Sequence, residues 1–338
     1  MVATRADVAR RAGVSPSTVT YVLTGERPTR RQTRERVMRA VRELGYQPNT
    51  AARSLASRVP RSVGVLFRME RAGIDLSDLD YVDGVRSRLE SEGIQVSVPV
   101  LHRDSLLGSL RGLVRSQTLD AAVLMDVTVG DERERMLLDE EMPTVLIGTS
   151  RQEGGAPSVD ADFEQMAELT VSHLAGLGHR RLVFLMRGDK TQKANAYQAQ
   201  RRALRQAARR RGLFHLEVPV PENVAQGLRV LDNDTLVEGC TAVVSNNPEA
   251  MGGLVAAALA RGLSIPEGFS LISLGATGFR DVQERLVSEV SVDRAAMGCA
   301  AGDLMVRVSA EPTFCEHTLM DGILYDHGST APPWPRRG

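Results

Sequence analysis

The sequence predicts a small all-α head followed by an α/β core of doubly wound parallel sheets. Three observations predict it. The chain has 338 residues, of which 42% are hydrophobic, enough for more than one buried core. Its 42 basic and 42 acidic residues cancel, but the first sixty residues hold twelve Arg against four acids, a net of +8, leaving −8 on the rest. Beyond residue 61, short β-branched runs alternate with amphipathic stretches, the pattern of parallel sheets wound with helices.

In the head, Thr4-Arg5-Ala6-Asp7 has a capping-box shape and opens a helix through Arg11 that Gly13 ends. Ser15 caps a second helix with Pro16 at its first position, and Val19, Val22 and Leu23 face inward. Ser17, Thr20 and Tyr21 are left outside. A third helix is expected from Thr29, with Gln32 completing a capping box and Val37, Val41 and Leu44 on its apolar face. Two short helices joined by a Gly-containing turn, the second starting with small polar residues, make a helix-turn-helix. Small side chains let the helix N-terminus sink into the major groove of double-stranded DNA, where hydroxyls and terminal amides meet phosphates and base edges. Next, Pro48 breaks the chain, Asn49 can cap, and Thr50–Ala56 can form a helical turn too short to persist unaided.

In the core, strands are expected at Ser62–Phe67, Gln95–Leu101, Asp120–Met125, Thr144–Gly148, Leu182–Met186, Thr241–Ser245 and Ser270–Leu274. Amphipathic helices are expected over Leu76–Ser91, Glu164–Leu177, Ala199–Arg211 and Glu249–Arg261. No stretch approaches the ~18–20 apolar residues of a membrane span, and MVATRADVARRAG lacks the apolar centre of a secretory signal. Cys240, Cys299 and Cys315 are odd in number and far apart, which points to a reduced, cytoplasmic setting.

Catalytic signatures are missing from the sequence. It has no GxxxxGK[ST], GxSxG, HExxH or GxGxxG, and Gly188-Asp189-Lys190-Thr191 is only superficially like a phosphate loop. The six histidines lack ligand spacing; His173 reads as helix surface and His179 as a turn residue. Neither an enzyme, a metal nor a cofactor is expected. Arg201–Arg211 carries six arginines and reads as the solvated face of a helix.

The stretches DVARRAGVSPSTVTYVLTG, RVMRAVRELGYQPNTAARSLA and RSVGVLF resemble the N-terminus of the lactose-repressor (LacI) family of bacterial regulators. The resemblance continues through SVDADFEQMAELTVSHLAGLGHRRLVFL, TAVVSNNPEAMGGLVAAALARGLSIPEGFSLISLG and DHGST. It implies a helix-turn-helix domain over 1–47, a hinge helix and linker over 48–60, and an effector-binding and dimerisation core over 61–338. The core would be two periplasmic-binding-protein-like lobes, about 61–160 with 291–321 and about 161–290 with 322–338. The chain would cross between them near 160, 290 and 322.

By the same resemblance, Pro16, Ser17, Thr20 and Tyr21 fall on the recognition helix, beside the Ser15 cap. Thr4, Tyr46 and Asn49 match phosphate-contacting or hinge-positioning sites. Ala52 belongs to the DNA-facing hinge, and Leu55 matches the leucine that wedges into a central minor-groove step. Many members have a basic residue where this chain has Tyr21, and some have Lys where it has Ala56, so operator preference should differ and minor-groove anchoring should weaken.

The implied function is a homodimeric regulator, most naturally a repressor, on a near-palindromic operator, with a small-molecule effector between the lobes. The effector positions implied are Lys193, Asn247 and Gly275. Sugar-binding members carry Arg, Asp and a further acid where this chain has Lys193, Asn246-Asn247 and Gly275-Ala276. That leaves a less hydroxylated or differently charged ligand, a sugar held by other residues, or an effector-independent regulator; the first is the expectation. A cytosolic solute-binding protein on the same core is the alternative from another class.

Overall fold

In the computed structural model of the chain, which describes residues 5–24, 29–44, 60–68, 76–101, 105–188, 194–232, 239–281 and 283–333, three helices form the head. They are α1 (Arg5–Ala12), α2 (Pro16–Thr24) and α3 (Arg31–Leu44). Val8, Ala9, Ala12, Val19, Val22, Val37 and Ala40 close a miniature core among them. Gly13 sits at φ +64° and ends α1. Its amide reaches the Arg10 carbonyl at 3.4 Å, while Val14 reaches Ala9 at 3.0 Å, the paired bonds of a Schellman stop. Ser15 caps α2, its Oγ accepting the Thr18 amide at 3.2 Å. The third helix starts later than its capping box suggested: the Arg34 amide bonds to Arg30, so the helix begins at Arg31 rather than after Thr29.

The chain divides into two units, Met1–Val59 and Pro60–Gly338. The second unit is built on two six-stranded sheets. Its strands are β1 (Ser62–Leu66), β2 (Gln95–Ser97), β3 (Ala121–Leu124), β4 (Thr144–Ile147), β5 (Ser158–Ala161), β6 (Arg181–Arg187), β7 (Phe214–Val220), β8 (Ala242–Ser245), β9 (Ser270–Leu274), β10 (Ser288–Ser291), β11 (His317–Met320) and β12 (Ile323–Tyr325). The first sheet has the order β11-β5-β4-β3-β1-β2 and is parallel throughout. The second has the order β12-β10-β9-β8-β6-β7. It is parallel except for β12, which runs antiparallel on the edge of β10 because only Asp321-Gly322 separates it from β11. The chain passes from one sheet to the other after β5, after β10 and between β11 and β12.

The helices between strands are α4 (Leu79–Glu90), α5 (Leu106–Arg115), α6 (Glu132–Asp139), α7 (Phe163–Gly176), α8 (Asn195–Arg210), α9 (Val224–Arg229), α10 (Pro248–Ala260) and α11 (Arg294–Ala310). Where α4 crosses α11, two glycines let the backbones touch. A Cβ at Gly84 would lie 2.1 Å from the Ala295 carbonyl oxygen, and one at Gly298 would lie 2.2 Å from that of Tyr81. Buried Val63, Val65, Val123, Val145 and Val159 fill the first lobe. Buried Leu182, Phe184, Val244, Ile272 and Val290 do the same in the second.

One buried charge ties strand ends together. Arg133 on α6 donates to the carbonyls of Leu66 (3.2 Å), Met125 (2.8 Å) and Asp126 (3.3 Å) and pairs with Asp131 at 2.8 Å. Burial alone would raise the Asp131 carboxyl, but Arg133, with Arg68 beyond it, holds it well below the usual range. This clamp fixes the turn after β3, where Asp126 stands.

Candidate functional site

In the head, the exposed start of α2 presents Ser15, Pro16 and Ser17, with Thr20 and Tyr21 half-buried one turn on. The Thr20 hydroxyl donates back to the Pro16 carbonyl at 3.2 Å. A capped helix N-terminus bearing small residues is suited to meeting phosphates and base edges. Thr4, Tyr46, Asn49, Ala52 and Leu55, expected on DNA, lie outside the described residues, as does Lys193, expected in the cleft.

In the core, side chains from both lobes line a cavity of about 150 Å³ at the carboxyl ends of the parallel strands, where doubly wound folds bind ligands. Asp126 follows β3, Asp160 lies in β5, and Asp78 and Tyr81 open the α4 region. From the second lobe come Arg187 at the end of β6, Tyr197 and Gln200 on α8, Asn246 after β8 and Gly275 after β9. Arg187 donates to the Asn246 carbonyl (2.8 Å) and the Tyr197 hydroxyl (2.6 Å) and pairs with Glu222 at 3.0 Å. The Asn246 amide donates in turn to Gln200 at 2.7 Å.

Contacts span the lobes. Arg294, at the start of α11, pairs with Asp78 at 3.1 Å and donates to the Gly275 carbonyl at 2.8 Å. Asn195 donates its backbone amide to Val127 at 2.8 Å and its side chain to the Thr149 carbonyl at 3.1 Å.

Burial raises the Asp160 carboxyl to about 6, the bond from the Ala161 amide only partly opposing it. Asp126 is likewise pushed up by burial, against the fields of Arg133, Arg187 and Arg68. It stands at φ +52°, a conformation that non-glycine residues seldom adopt. Burial also lifts the Tyr81 phenol to about 12.

Of the effector residues expected from sequence, the structure brings only Gly275 to the cavity among those it describes. Asn247 is committed elsewhere: its Oδ1 caps α10 through the Ala250 amide at 3.1 Å, and its Nδ2 donates to Val220 at 3.2 Å. Its neighbour Asn246 lines the cleft instead. The guanidinium there is Arg187, six positions before Lys193, and it was missed; a basic residue ending a parallel strand was the available signal.

His179, read as a turn residue, is 1% exposed, bonding Thr241 at 2.8 Å and the Ala331 carbonyl at 3.0 Å. Burial lowers its pKa, and the ring bridges to the C-terminal segment. His173 meets Thr330 at 2.8 Å beside it. On α8, Arg201 and Arg205 rest on Glu217 at 3.1 and 3.2 Å, and Arg210 and Arg211 pair with Glu168. Among the described residues no three metal-ligating side chains converge, and no helix is long and apolar enough to cross a membrane.

Residues 4–49 match the family described as bacterial regulatory proteins, lacI family, and residues 171–330 match the periplasmic binding protein-like domain. The HTH-type transcriptional regulator pepR1 of Lactobacillus delbrueckii subsp. lactis is 25% identical over 326 residues, covering 89% of this chain and 90% of that protein. Catabolite control protein A of Priestia megaterium is 26% identical over 317 residues, covering 91% of this chain and 92% of its own. Among solved structures, the lac repressor dimer bound to operator and the anti-inducer ONPF shares the fold with a TM-score of 0.78 at 20% identity, covering 98% of this chain and 100% of that one. The transcriptional regulator CelR–cellobiose complex does so with a TM-score of 0.68 at 21% identity, over 97% and 99%.

A helix-turn-helix head joined to a two-lobed α/β core with a cleft defines a DNA-binding transcriptional regulator. The chain carries a lacI-family head over residues 4–49 and a periplasmic binding protein-like domain over residues 171–330.

Proposed function

We propose that the chain is a homodimeric transcriptional repressor of the cytoplasm that acts by binding, not catalysis, and responds to a small molecule held between its lobes. The observation that carries the reading is the pairing of an exposed, Ser15-capped α2 N-terminus with a cavity lined from both lobes.

Two heads would read the half-sites of a near-palindromic operator through Ser15, Pro16, Ser17, Thr20 and Tyr21. Thr4, Tyr46 and Asn49 would hold phosphates, and paired hinges carrying Ala52 and Leu55 would kink the central step. Exposed Leu79, Val100, Val224 and Leu228 supply apolar surface for a second copy. A ligand that favours one spacing of the lobes shifts the dimer toward or away from the DNA-binding state, by as much as its affinities for the two states differ.

The reading is tested by selecting bound sequences from random double-stranded DNA with the full-length protein. Enrichment of a two-half-site palindrome is expected. Recovery of an unpaired single site, or of no preferred sequence with and without small molecules, would contradict it.

A further inference from the structure

The charges of the cleft do not balance side chain by side chain. Arg187 has Glu222 at 3.0 Å, and Arg294 has Asp78 at 3.1 Å. Asp126 and Asp160 have no such partner: among the described residues no basic side chain stands within ion-pair distance of either. Asp126 accepts the Arg68 backbone amide at 3.3 Å and Asp160 accepts the Ala161 amide at 2.8 Å. Arg133, Arg187 and Arg68 reach Asp126 only through their longer-range field, as Arg151 reaches Asp160.

Both carboxylates line the cavity, and Asp160 is only 7% exposed. Around them stand Met125, Ile147, Phe163, Met166 and Met297, which offer no donor to a carboxylate. Two buried or half-buried acids that have no ion-pair partner among the described residues are costly to ionise unless something cationic joins them. Asp126 stands in left-handed backbone, and Arg133 donates to its carbonyl at 3.3 Å.

We propose that the cleft takes a small organic cation, whose ammonium or amidinium group sits between the carboxylates of Asp126 and Asp160. This rests on the reading of the cleft as the effector site and names the ligand's class. A cavity of about 150 Å³ admits a molecule near benzene in size. Aromatic Phe163, Tyr81 and Tyr197 suit the body and charge of such a ligand. A neutral polyol leaves the carboxylates uncompensated, and an anion meets them head-on.

The test is thermal unfolding of the full-length protein with a bacterial small-molecule extract split on a cation-exchange resin. The retained fraction should raise Tm and the flow-through should not. Asp160→Asn and Asp126→Asn, the latter keeping a side chain tolerant of positive φ, should each need at least tenfold more of the retained fraction for the same shift. Activity confined to the flow-through would overturn the cationic ligand while leaving the cleft as an effector site. A retained-fraction response unchanged in both variants would overturn the assignment to these carboxylates. No response to either fraction would overturn both the cation and the effector reading beneath it.

Discussion

Asn195, the first residue of α8 in the second lobe, donates its side-chain amide to the carbonyl of Thr149 in the first lobe at 3.1 Å. The side chain is buried, and its backbone amide makes a second bond across the lobes, to Val127. Arg294 makes another bond across the lobes, from α11 to the Gly275 carbonyl at 2.8 Å. Polar contacts thus link the lobes beside the cavity, where a ligand can bias them.

Asn195→Ala removes the side-chain bond and keeps the backbone one. Unfolding of the core should lose about 1 kcal/mol, the worth of one hydrogen bond. Amide exchange at Val127–Thr128 and at the start of α8 should quicken while the rest of β3 stays protected. Uniform quickening across both lobes would show that Asn195 supports the fold at large and not the closure.

Asp160→Asn should stabilise the ligand-free protein at high pH. The carboxyl titrates near 6 when folded against an ordinary 3.8, so its ionised form is the disfavoured one. The penalty is full above pH 6, shrinks as pH falls through that value, and vanishes below the unfolded pKa, where both states are protonated. At pH 8 the variant should gain on the order of 2 kcal/mol, falling by about half at pH 5. Denaturant titrations at the two pH values check it, and a gain independent of pH would mean that packing, not charge, is responsible.

Gly298→Ala should cost about 3 kcal/mol or prevent folding, because its Cβ would meet the Tyr81 carbonyl of α4 at 2.2 Å, a backbone atom that cannot turn aside. Gly252→Ala in α10 is the control. Nothing lies within 4 Å of its Cβ, so helix propensity alone should stabilise by about 0.5–1 kcal/mol. Equal Tm changes in the two variants would refute the close crossing of α4 on α11.

On DNA, Tyr21→Ala and Leu55→Ala should separate. Loss of Tyr21 should alter the selected base at one position per half-site, by about 1–3 kcal/mol. Loss of Leu55 should weaken the palindrome while sparing salt-sensitive binding to random DNA, because a wedge contributes kinking and carries no charge. Equal losses of Leu55→Ala on both DNAs would remove the wedge role.

The head was almost wholly legible in sequence because its signals are local. Gly13 needs its positive φ, Ser15 and Pro16 fit the first turn of a helix, and Val19, Val22 and Val37 keep helical spacing. The seven expected strands are all present, with β2 shorter than its apolar run suggested. Among the strands not singled out, β5 and β10 lack that apolar signal. β10 reads Ser-Glu-Val-Ser and is fully buried, its polar groups satisfied by partners distant in sequence, such as Asp326 for Ser288 at 3.0 Å. β12, Ile-Leu-Tyr, carries the apolar signal but is only three residues long, on the edge of β10.

The cleft was legible in place but less so in its residues. Strand order puts it at the carboxyl ends, yet which of Asn246 and Asn247 faces it depends on which one caps α10. Asp160 is hidden from pattern reading because an acid inside a buried strand has no periodic signature. The burial of His179 was hidden for a related reason: its partners Thr241, Ser270 and Ala331 are far away in the chain.

The most direct measurement is operator affinity as the cleft fills. With the selected palindrome in hand, the full-length protein is titrated against it at increasing concentrations of the fraction that shifts its Tm. If the cleft governs the head, the operator Kd changes by roughly 5–150-fold, saturating at the dose that saturates the thermal shift, and Asp160→Asn displaces both curves together. An operator Kd that stays constant while the cleft is saturated would contradict the account, leaving a DNA-binding protein whose cavity has no say in where it binds.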